Sequence, residues 1–288
     1  MVGDSEGRAG TNSDQPQRTR DDVSRSEDVR RIHEGLNAAA EALMPFTPGD
    51  IAFERKETRG DPVTAADEAA DRVLREILPR EGEGWLSEES VDDPARLSCE
   101  RVWVVDPIDG TREFVEGIPE WCISIGLLEG GLPVAGGIFN PVTGQLVLGS
   151  LEGGVTLNGQ AATVTEPPLD GPITVLASRS EIRRGEWDRF ENGRFDLKPC
   201  GSVAFKLGLV AAGLADATWT LVGKSEWDVV AGTALVRAAG GLVCLADGSE
   251  PGFNKAKPVF PNYVAAGRAV GKAATDGWLR PHGSEVAS

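Results

Sequence analysis

Two aspartates, Asp106 and Asp109, stand three residues apart where the apolar segment "RVWVV" ends. Carboxylates this close repel, and each raises the pKa of the other unless a cation lies between them. Carboxylate and carbonyl oxygens are the ligands that hard divalent ions such as Mg²⁺ prefer. Pro107 fixes the turn between the two acids, so that the carbonyl of Ile108 is available as a third oxygen ligand. The pattern therefore predicts a Mg²⁺ site.

The residues directly behind this pair are suited to binding phosphate. Gly110 permits a tight turn, and the following segment, "TREF", is predicted to begin a helix. Helix N-termini bind phosphate through free N–H groups and the helix dipole. We therefore predict that the amides of Gly110 and Thr111 hold a phosphate next to the metal ligands. The alternative is that an acid here only caps the following helix, and this alternative applies best to Asp109.

Further acids repeat the same arrangement, each at the end of a predicted helix or strand. They are Glu88 and Glu89 after the predicted strand "GWLS", Asp67 in the first turn of a helix behind the capping residue Thr64, and Asp228 at a helix start. A single acid of this kind is a weak signal, because acidic residues commonly occupy helix N-termini. The repetition favours one shared metal site over several unrelated helix caps.

Composition restricts the function classes that remain. The 288 residues carry a net charge of −16, which argues against binding a nucleic acid polymer, since that requires a basic face. We expect no membrane partner, because no apolar stretch reaches the roughly 20 residues of a membrane span. The four scattered cysteines are typical of a cytoplasmic protein with reduced thiols. With only two histidines, His33 and His282, the chemistry is expected to depend on carboxylates.

The positions of helices and strands divide the chain into two halves behind a polar tail. Residues 1–23 are predicted to be a disordered tail, because their composition buries too little apolar surface. Residues 24–167 read as an N-terminal half of helices and antiparallel strands that carries the metal site. Residues 168–288 read as a C-terminal half in which strands and helices alternate. This order predicts a layered α/β fold in which helices flank or separate the sheets.

Individual segments give more specific expectations. The N-terminal half is predicted to begin with a helix from Ser24 to Leu43, and its Gly-Gly, Asn-Pro and Asn-Gly turns predict a meander of short strands. In the C-terminal half we expect one helix over "EIRRGEWDRFEN", one over "SVAFKLGLVAAGLAD" and one over "EWDVVAGTALVRAAGG". The last of these would place Asp228 in its first turn.

The motif "DPIDGT", with "EES" upstream and "WDVVAG" and "AAGG" downstream, resembles the inositol monophosphatase superfamily of Mg²⁺-dependent, lithium-sensitive phosphatases. The resemblance runs from about Val29 to Val270, and its paired motifs are highly specific. It implies the layered αβαβα sandwich of the inositol monophosphatase and fructose-1,6-bisphosphatase type, which agrees with the order of predicted elements. It also implies a small phosphorylated substrate, Mg²⁺ as the cofactor and, by default, a homodimer.

The resemblance assigns a role to each matching residue. The implied metal ligands are Glu88, Asp106, the Ile108 carbonyl, Asp109 and Asp228. The implied catalytic residues are Asp67, Glu88 and Thr111, with Thr111 and Asp67 orienting and helping to deprotonate the attacking water. The implied substrate-binding residues are Ile108, Asp109, Gly110, Thr111, Gly201, Ser202, Lys206 and Asp228. Hydrolysis would be an in-line attack by water without a covalent phosphoenzyme.

Two other protein classes share part of this pattern. Phosphatases with an aspartyl nucleophile carry a similar motif, but here Ile108 adds one residue to the spacing, and the motif lies a hundred residues into the chain. A catalytically silent metal-binding interaction protein would be expected to lose a water-orienting residue. This sequence retains Thr111, Asp67 and Glu88, which favours a hydrolase.

The substrate is predicted less directly than the reaction. The segments "LSEE", "DGTREF", "ASRSE" and "EWD" are most similar to 3'(2'),5'-bisphosphate nucleotidases, which convert 3'-phosphoadenosine 5'-phosphate to AMP. Leu221 stands where animal inositol phosphatases place a substrate-binding Glu, and we expect it to offer an apolar surface to a purine. "GGIFNPVTGQLVLG" and "VTLNG" are common in the inositol branch, so an inositol-1-monophosphatase or a broad sugar-phosphate phosphatase remains the alternative. Lys206 could contact a second phosphate or extend into solvent, and Lys224 and Arg112 are further candidates.

Overall fold

This computed structural model describes residues 20–55, 62–191 and 193–279. The α-helices in these ranges are α1 (Arg20–Leu43), α2 (Ala65–Ile77), α3 (Thr111–Glu116), α4 (Arg179–Arg183), α5 (Val203–Ala211), α6 (Glu226–Ala238) and α7 (Arg268–Ala273). The predicted disordered tail lies outside the described residues up to position 19, whereas residues 20–23 belong to α1. None of the helices described is both long and apolar enough to cross a membrane.

Strands fill most of the remaining described chain. They are β1 (Glu54–Arg55), β2 (Pro62–Val63), β3 (Gly84–Ser87), β4 (Arg101–Asp109), β5 (Cys122–Glu129), β6 (Leu132–Asn140), β7 (Gln145–Ser150), β8 (Gly154–Leu157), β9 (Gln160–Ala162), β10 (Ile173–Ser178), β11 (Phe195–Cys200), β12 (Ala217–Thr220), β13 (Lys224–Ser225), β14 (Leu242–Cys244), β15 (Val259–Phe260) and β16 (Tyr263–Ala266). Two short ribbons, β1–β2 and β13–β15, lie outside the two large sheets.

The first large sheet contains β3 to β9 in sequence order. β3 and β4 run parallel, and every later neighbouring pair is antiparallel. The meander predicted from the Gly-Gly, Asn-Pro and Asn-Gly turns is therefore confirmed. Helices α1 and α2 cover one face, where Leu36 and Leu74 pack with Trp103 and Ile125 of the sheet.

The opposite face of this sheet lies against α6, and glycines permit the contact. A Cβ atom added to Gly136 would lie 2.5 Å from the carbonyl oxygen of Ala231, and one added to Gly126 would lie 2.5 Å from a methyl group of Val230. The α6 backbone therefore rests directly on the sheet, which fixes the height of the first turn of this helix above β4. That turn carries Asp228.

The second large sheet lies beyond α5 and α6, with the strand order β11-β10-β12-β16-β14. The first three strands are parallel, and β16 is antiparallel to both of its neighbours. An aromatic cluster covers its outer side, where Trp187 and Trp219 stack at 5.2 Å with Phe190 against them. The succession helix, sheet, helix, sheet, helix confirms the predicted αβαβα sandwich.

The C-terminal half departs from prediction in one helix and several strands. The prediction of one helix over "EIRRGEWDRFEN" is wrong, because α4 ends at Arg183 and a 3₁₀ turn at Asp188–Phe190 follows it. Gly185 separates the two with a φ of +76°, a left-handed conformation that favours glycine and ends a helix. The strands β11 and β13 to β16 were not predicted, since each has only two to six residues and gives too short a pattern.

Candidate active site

A bulge at the end of β4 directs the two motif aspartates. Asp106 pairs with Ser124 of β5 and Asp109 pairs with Cys122, so three steps along β4 match two steps along β5. The extra residue bends the strand, as bulges beside functional sites commonly do. Gly110 follows with a φ of +97° and begins α3, so that the chain turns sharply behind the second acid.

Three acids from three different elements converge at this point. Ligand oxygens of Glu88, Asp106 and Asp228 all lie within 4.8 Å of one another. Asp106 is buried, and its Oδ2 meets no hydrogen-bond donor among the described residues. A buried carboxylate oxygen without a donor is unfavourable, and a cation would satisfy it. The residues therefore fit a hard divalent ion held by oxygen ligands.

The electrostatics of this cluster supports the same conclusion. Burial, followed by the charges of Glu88, Asp109 and Asp228, raises the pKa of Asp106 well above its usual range. Burial and the neighbouring acids also raise the pKa of Asp228 to about 7, although its carboxylate borders the cavity. Lys206 acts to lower the pKa of Asp109 and Lys224 that of Asp228, but burial and the other acids outweigh both lysines. A bound cation would reverse both shifts.

Asp109 belongs to the same acidic group but has a second attachment. Its Oδ2 accepts hydrogen bonds from the Ser202 hydroxyl at 2.6 Å and from the Ala204 amide, both at the start of α5. Burial raises the pKa of Asp109, and these two bonds oppose the increase. Asp109 therefore joins β4 to α5 with one oxygen, which leaves Oδ1 for the site.

The Thr111 hydroxyl lies between two acceptors. Its Oγ1 is 3.2 Å from Oδ1 of Asp67 and 3.0 Å from the carbonyl oxygen of Ile108. The other oxygen of Asp67 accepts hydrogen bonds from the Thr64 amide at 2.8 Å and the Thr64 hydroxyl at 2.7 Å, which forms the capping box of α2. The predicted cap at Thr64 is confirmed. It also orients Asp67 so that Oδ1 faces Thr111.

A second acid of α2, Asp71, holds the loop that presents Glu88. The hydroxyls of Ser87 and Ser90 both donate to the Asp71 carboxylate, and the Glu88 amide donates to the Val105 carbonyl at 3.3 Å. Asp71 was not predicted to take part. Its helical position gives no sign of these contacts, because they depend on where α2 packs relative to β3.

A cavity of about 770 Å³ opens above the acids. The predicted site residues that line it are Glu88, Ile108, Asp109, Gly110, Thr111, Gly201, Ser202, Lys206 and Asp228. Asp67 and Asp106 lie buried beneath this lining. The structure thus places all the predicted site residues in or directly below one cavity. Glu89, the outer acid of the loop, donates its amide to the Ser87 hydroxyl at 3.3 Å.

One expectation about substrate contacts is corrected, and for Lys206 the alternative of a solvent-facing side chain is excluded. Lys206 does not extend into solvent, because only 1% of it is exposed and it lines the cavity. The expectation that Leu221 faces the substrate is wrong, since Leu221 packs against the outer aromatic cluster. The next residue, Val222, lines the cavity instead. The chain bends at Leu221 and Val222, directly after β12 ends, so the two neighbouring side chains face different surroundings.

Several lining residues were not predicted from the sequence. They are Glu113, Ser178, Ser180, Arg184, Val203, Gly223, Val259, Phe260 and Pro261. Ser178 and Ser180 belong to the segment "ASRSE", which predicted a family resemblance but no contact with the substrate. Glu113 packs on Gly201, where an added Cβ would lie 2.5 Å from the Glu113 carboxyl carbon. The spacing of these residues gives no sign that they meet, because separate elements bring them together.

Comparison with known families and proteins agrees with this geometry. The model of the inositol monophosphatase family matches residues 26–281. The chain is 34% identical over 223 residues to an inositol-1-monophosphatase of Mesorhizobium japonicum, which covers 74% of this chain and 83% of that protein. It is 32% identical over 257 residues to a 3'-phosphoadenosine 5'-phosphate phosphatase of Mycobacterium leprae, with coverage of 79% and 88%.

A solved structure shows the same fold. The inositol monophosphatase of Anabaena superposes with a TM-score of 0.71 at 27% identity, covering 88% of this chain and 96% of that one. The two relatives that share about a third of this sequence bear names for different substrates. Overall similarity therefore gives the class of reaction and leaves the substrate open.

Proposed function

The chain belongs to the inositol monophosphatase family and is a phosphatase of that class, and from this we propose that its cavity hydrolyses phosphate monoesters with Mg²⁺. The observation that carries the proposal is the convergence of Glu88, Asp106 and Asp228 within 4.8 Å. These three residues would hold the ion, with the Asp109 carboxylate and the Ile108 carbonyl as further oxygen ligands. When bound, Mg²⁺ supplies Lewis-acid activation of water and neutralises charge on the phosphate.

The protein's own part in the reaction is to orient water and accept its proton. The Thr111 hydroxyl can accept a hydrogen bond from a water in the cavity while it donates its own proton to Asp67 Oδ1 at 3.2 Å. The capping box holds Asp67 in this orientation. Asp67 and Thr111 thus form a short relay that removes a proton from the attacking water, with Glu88 at the edge of the cavity beside it.

The phosphate and its leaving group are positioned by two turns. Gly110 and Thr111 line one part of the cavity, and Gly201 and Ser202 line another. Asp109 joins these turns, since its carboxylate belongs to the first and accepts from the Ser202 hydroxyl of the second. A phosphate on the first turn would therefore direct its ester oxygen toward Gly201 and Ser202.

We propose a 3'(2'),5'-bisphosphate nucleotide as the substrate, with 3'-phosphoadenosine 5'-phosphate as its representative. Two apolar side chains at the cavity, Val222 and Val259, are 38% and 47% exposed. Exposed valines at a cavity rim suit the flat face of a nucleobase better than the hydroxyls of inositol, because a buried hydroxyl without a partner is unfavourable. The named activity of the Mycobacterium leprae relative supports the same choice.

Inositol 1-phosphate, or a broader range of sugar phosphates, is the second candidate substrate. The Mesorhizobium japonicum relative supports it, as does the turn "NPVTG", in which Asn140 caps the loop by accepting from the Val142 and Thr143 amides. The carboxylate that animal inositol phosphatases place seven residues before Asp228 is absent here, where Leu221 stands and packs outward. This difference favours the nucleotide.

A panel of phosphate esters tests the substrate assignment. Phosphate release with Mg²⁺ is measured for 3'-phosphoadenosine 5'-phosphate, inositol 1-phosphate, fructose 1,6-bisphosphate and AMP. We expect kcat/KM for the nucleotide bisphosphate to exceed that for inositol 1-phosphate by at least about tenfold. A higher value for inositol 1-phosphate would replace the nucleotidase assignment with the inositol alternative. Trapping of a phosphoaspartate would overturn the mechanism itself.

Three further properties follow from the assignment. We propose that Li⁺ inhibits the enzyme, because the resemblance is to a lithium-sensitive superfamily. We also propose a cytoplasmic location, which the four free cysteines support. A homodimer in solution is the third, and sedimentation of the purified protein would test it.

A further inference from the structure

The cavity lining combines acids with an unusual share of cations for this protein. Its cationic side chains are Arg112, Arg184, Lys206 and Lys224. The whole chain has a net charge of −16, so a local group of cations is not explained by general surface composition. The cation-binding acids account for one part of the lining. Lys206 and Lys224 act against the raised pKa values of Asp109 and Asp228, so each lysine balances part of that acidic charge.

Lys206 is a buried cation with donors to spare. Only 1% of the residue is exposed, and its Nζ has a single acceptor in the part of the chain that the structure describes, the Cys200 carbonyl at 3.5 Å. An ammonium group carries three N–H donors, and its burial is unfavourable unless they are satisfied. Asp109, the acid near it on the motif turn, already uses Oδ2 for Ser202 and Ala204. Lys206 therefore offers donors to a ligand in the cavity.

Lys224 lies beside a buried acid that is held from behind. Its Nζ is 4.0 Å from Oε1 of Glu181, a residue with no exposed surface. Oε2 of Glu181 accepts from the Trp187 indole N–H at 3.0 Å and from the Leu221 amide at 3.4 Å. Oε1 has no hydrogen-bond partner within the described ranges. Glu181 is thus anchored by one oxygen, and its free oxygen attracts Lys224 without a close contact.

We propose that Lys206 and Lys224 form a second anion-binding subsite in this cavity and that Glu181 is the positioning residue that holds Lys224 there. The subsite would take a phosphate, sulfate or carboxylate group of the substrate other than the phosphate that is hydrolysed. The inference rests on the proposed function for the location of the hydrolysed phosphate. The acidic cluster would bind a cation, whereas this subsite would bind an anion.

The charges and distances explain why an anion fits. Once a cation neutralises Asp109 and Asp228, the group of Lys206, Lys224 and Glu181 carries one net positive charge. Glu181 lies too far from Lys224 for a hydrogen bond. An anion that contacts both ammonium groups would form charge-assisted hydrogen bonds and balance the remaining charge. Lys224 would keep Glu181 on its other side.

Pairs of esters that differ only by a remote phosphate test the subsite. One pair is 3'-phosphoadenosine 5'-phosphate and adenosine 3'-monophosphate, and the other is inositol 1,4-bisphosphate and inositol 1-phosphate. KM and kcat are measured for both members with Mg²⁺ at fixed ionic strength. For the pair that the enzyme accepts, we expect a KM for the bisphosphate at least about tenfold lower than that for the monophosphate, as two charge-assisted contacts would give.

Three variants identify the residues responsible. Lys206→Met and Lys224→Met remove one cation each. Glu181→Gln keeps a side-chain oxygen that accepts from Trp187 and Leu221, and it removes the charge that faces Lys224. We expect each variant to remove a large part of the KM advantage of the bisphosphate, with a smaller change in kcat. Lys272→Met is the matched control, because Lys272 is 76% exposed and pairs with Asp276 away from the cavity. It should leave the ratio unchanged.

The outcomes separate this inference from the proposed function. Equal KM values within both ester pairs of the wild-type enzyme would overturn the subsite while phosphatase activity stands. A preference that survives in all three variants would overturn the assignment to these residues. Hydrolysis of the inositol pair alone would overturn the nucleotide assignment. The KM ratio of inositol 1-phosphate to inositol 1,4-bisphosphate would then test the subsite. Inorganic sulfate serves as a free anion that can compete for the subsite. Added sulfate should therefore raise KM for the bisphosphate more than KM for the monophosphate.

Discussion

Thr111 Oγ1 lies 3.2 Å from Oδ1 of Asp67, a residue that stands 44 positions earlier in the chain. The contact joins the start of α3 to the first turn of α2. It depends on the Thr64 capping box, which occupies the other oxygen of Asp67. The Thr64 cap of α2 therefore positions Asp67, and Asp67 in turn positions the Thr111 hydroxyl that is predicted to orient water.

Replacement of Thr111 by Ala tests the relay. Thr111→Ala removes the hydroxyl between the water and Asp67, and we expect kcat to fall by about 10²–10⁴-fold, the usual contribution of positioned acid–base groups. The Mg²⁺ concentration for half-maximal activity should change little, because the acidic cluster is untouched. Thr111→Ser is the control and should retain most of the rate. A Thr111→Ala enzyme with wild-type kcat would rule out the relay.

Substitution of Asp228 tests the acidic cluster through stability. Asp228→Asn removes one of several neighbouring negative charges, so we expect the metal-free variant to unfold at a higher temperature than the metal-free wild type. The Tm increase that Mg²⁺ causes should be lost, together with most of the activity. Thermal unfolding with and without Mg²⁺ measures both effects. An unchanged response of Tm to Mg²⁺ in the variant would show that Asp228 is not a ligand.

The close approach of α6 to the sheet predicts a remote effect on the site. In Gly136→Ala the new Cβ would meet the Ala231 carbonyl at 2.5 Å, so α6 must shift and move Asp228 with it. We expect a loss of about 1–3 kcal/mol in unfolding free energy, as is usual for overpacking, and weaker Mg²⁺ activation. Gly252→Ala, which meets no atom within 4 Å, is the control. Unchanged stability and Mg²⁺ response would contradict the proposed contact.

The apolar rim of the cavity gives a prediction on specificity. Val259→Ser should raise KM for 3'-phosphoadenosine 5'-phosphate about fivefold, the equivalent of about 1 kcal/mol of lost apolar contact. KM for inositol 1-phosphate should change much less, since its hydroxyls gain little from a valine. Val142→Ser is the control, because Val142 is exposed but does not line the cavity. Equal effects on both esters would exclude a nucleobase contact at this rim.

An ion-pair network around Glu83 predicts a pH dependence of stability. Glu83 accepts from Arg31 at 2.8 Å, Arg101 at 2.9 Å and the Trp103 indole at 2.9 Å. Burial alone would raise the pKa of Glu83, but these bonds outweigh it and lower the pKa to about 2. Because the pKa is lower in the folded protein, the stabilisation is present above about pH 4.5 and is lost as the pH falls toward 2.

Glu83→Gln should therefore lower the unfolding free energy by about 2 kcal/mol at pH 7, less than the pKa shift would give without solvent screening. The difference from wild type should shrink between pH 4.5 and pH 2. Urea unfolding at pH 7, 5 and 3 measures it, and Glu34→Gln in an exposed pair with Arg30 is the control. A difference that stays constant over this range would contradict the assignment.

Local motifs carried most of the information about the site. Asp106, Asp109 and Thr111 are close in sequence, so the turn that contains them could be predicted with its chemistry. Asp67 could be connected to Thr111 only through the family resemblance, because the packing of α2 on the sheet brings them together. The Glu83 network and the contact of Glu181 with Lys224 were not predicted, since each joins separate elements.

The errors have equally specific causes. Leu221 was expected to face the substrate, but it lies just beyond the end of β12, where one position decides which side a residue faces. The helix expected after β10 ends early because Gly185 adopts a left-handed conformation, and Glu181 lies in the first turn of the short α4. Spacing alone does not determine either feature.

The most direct test of the central claim is phosphate release from 3'-phosphoadenosine 5'-phosphate before and after chelation. The account predicts that excess EDTA abolishes release and that added Mg²⁺ restores it, because Glu88, Asp106 and Asp228 converge where they would hold the cation that the proposed reaction requires. Full activity in excess EDTA would contradict it.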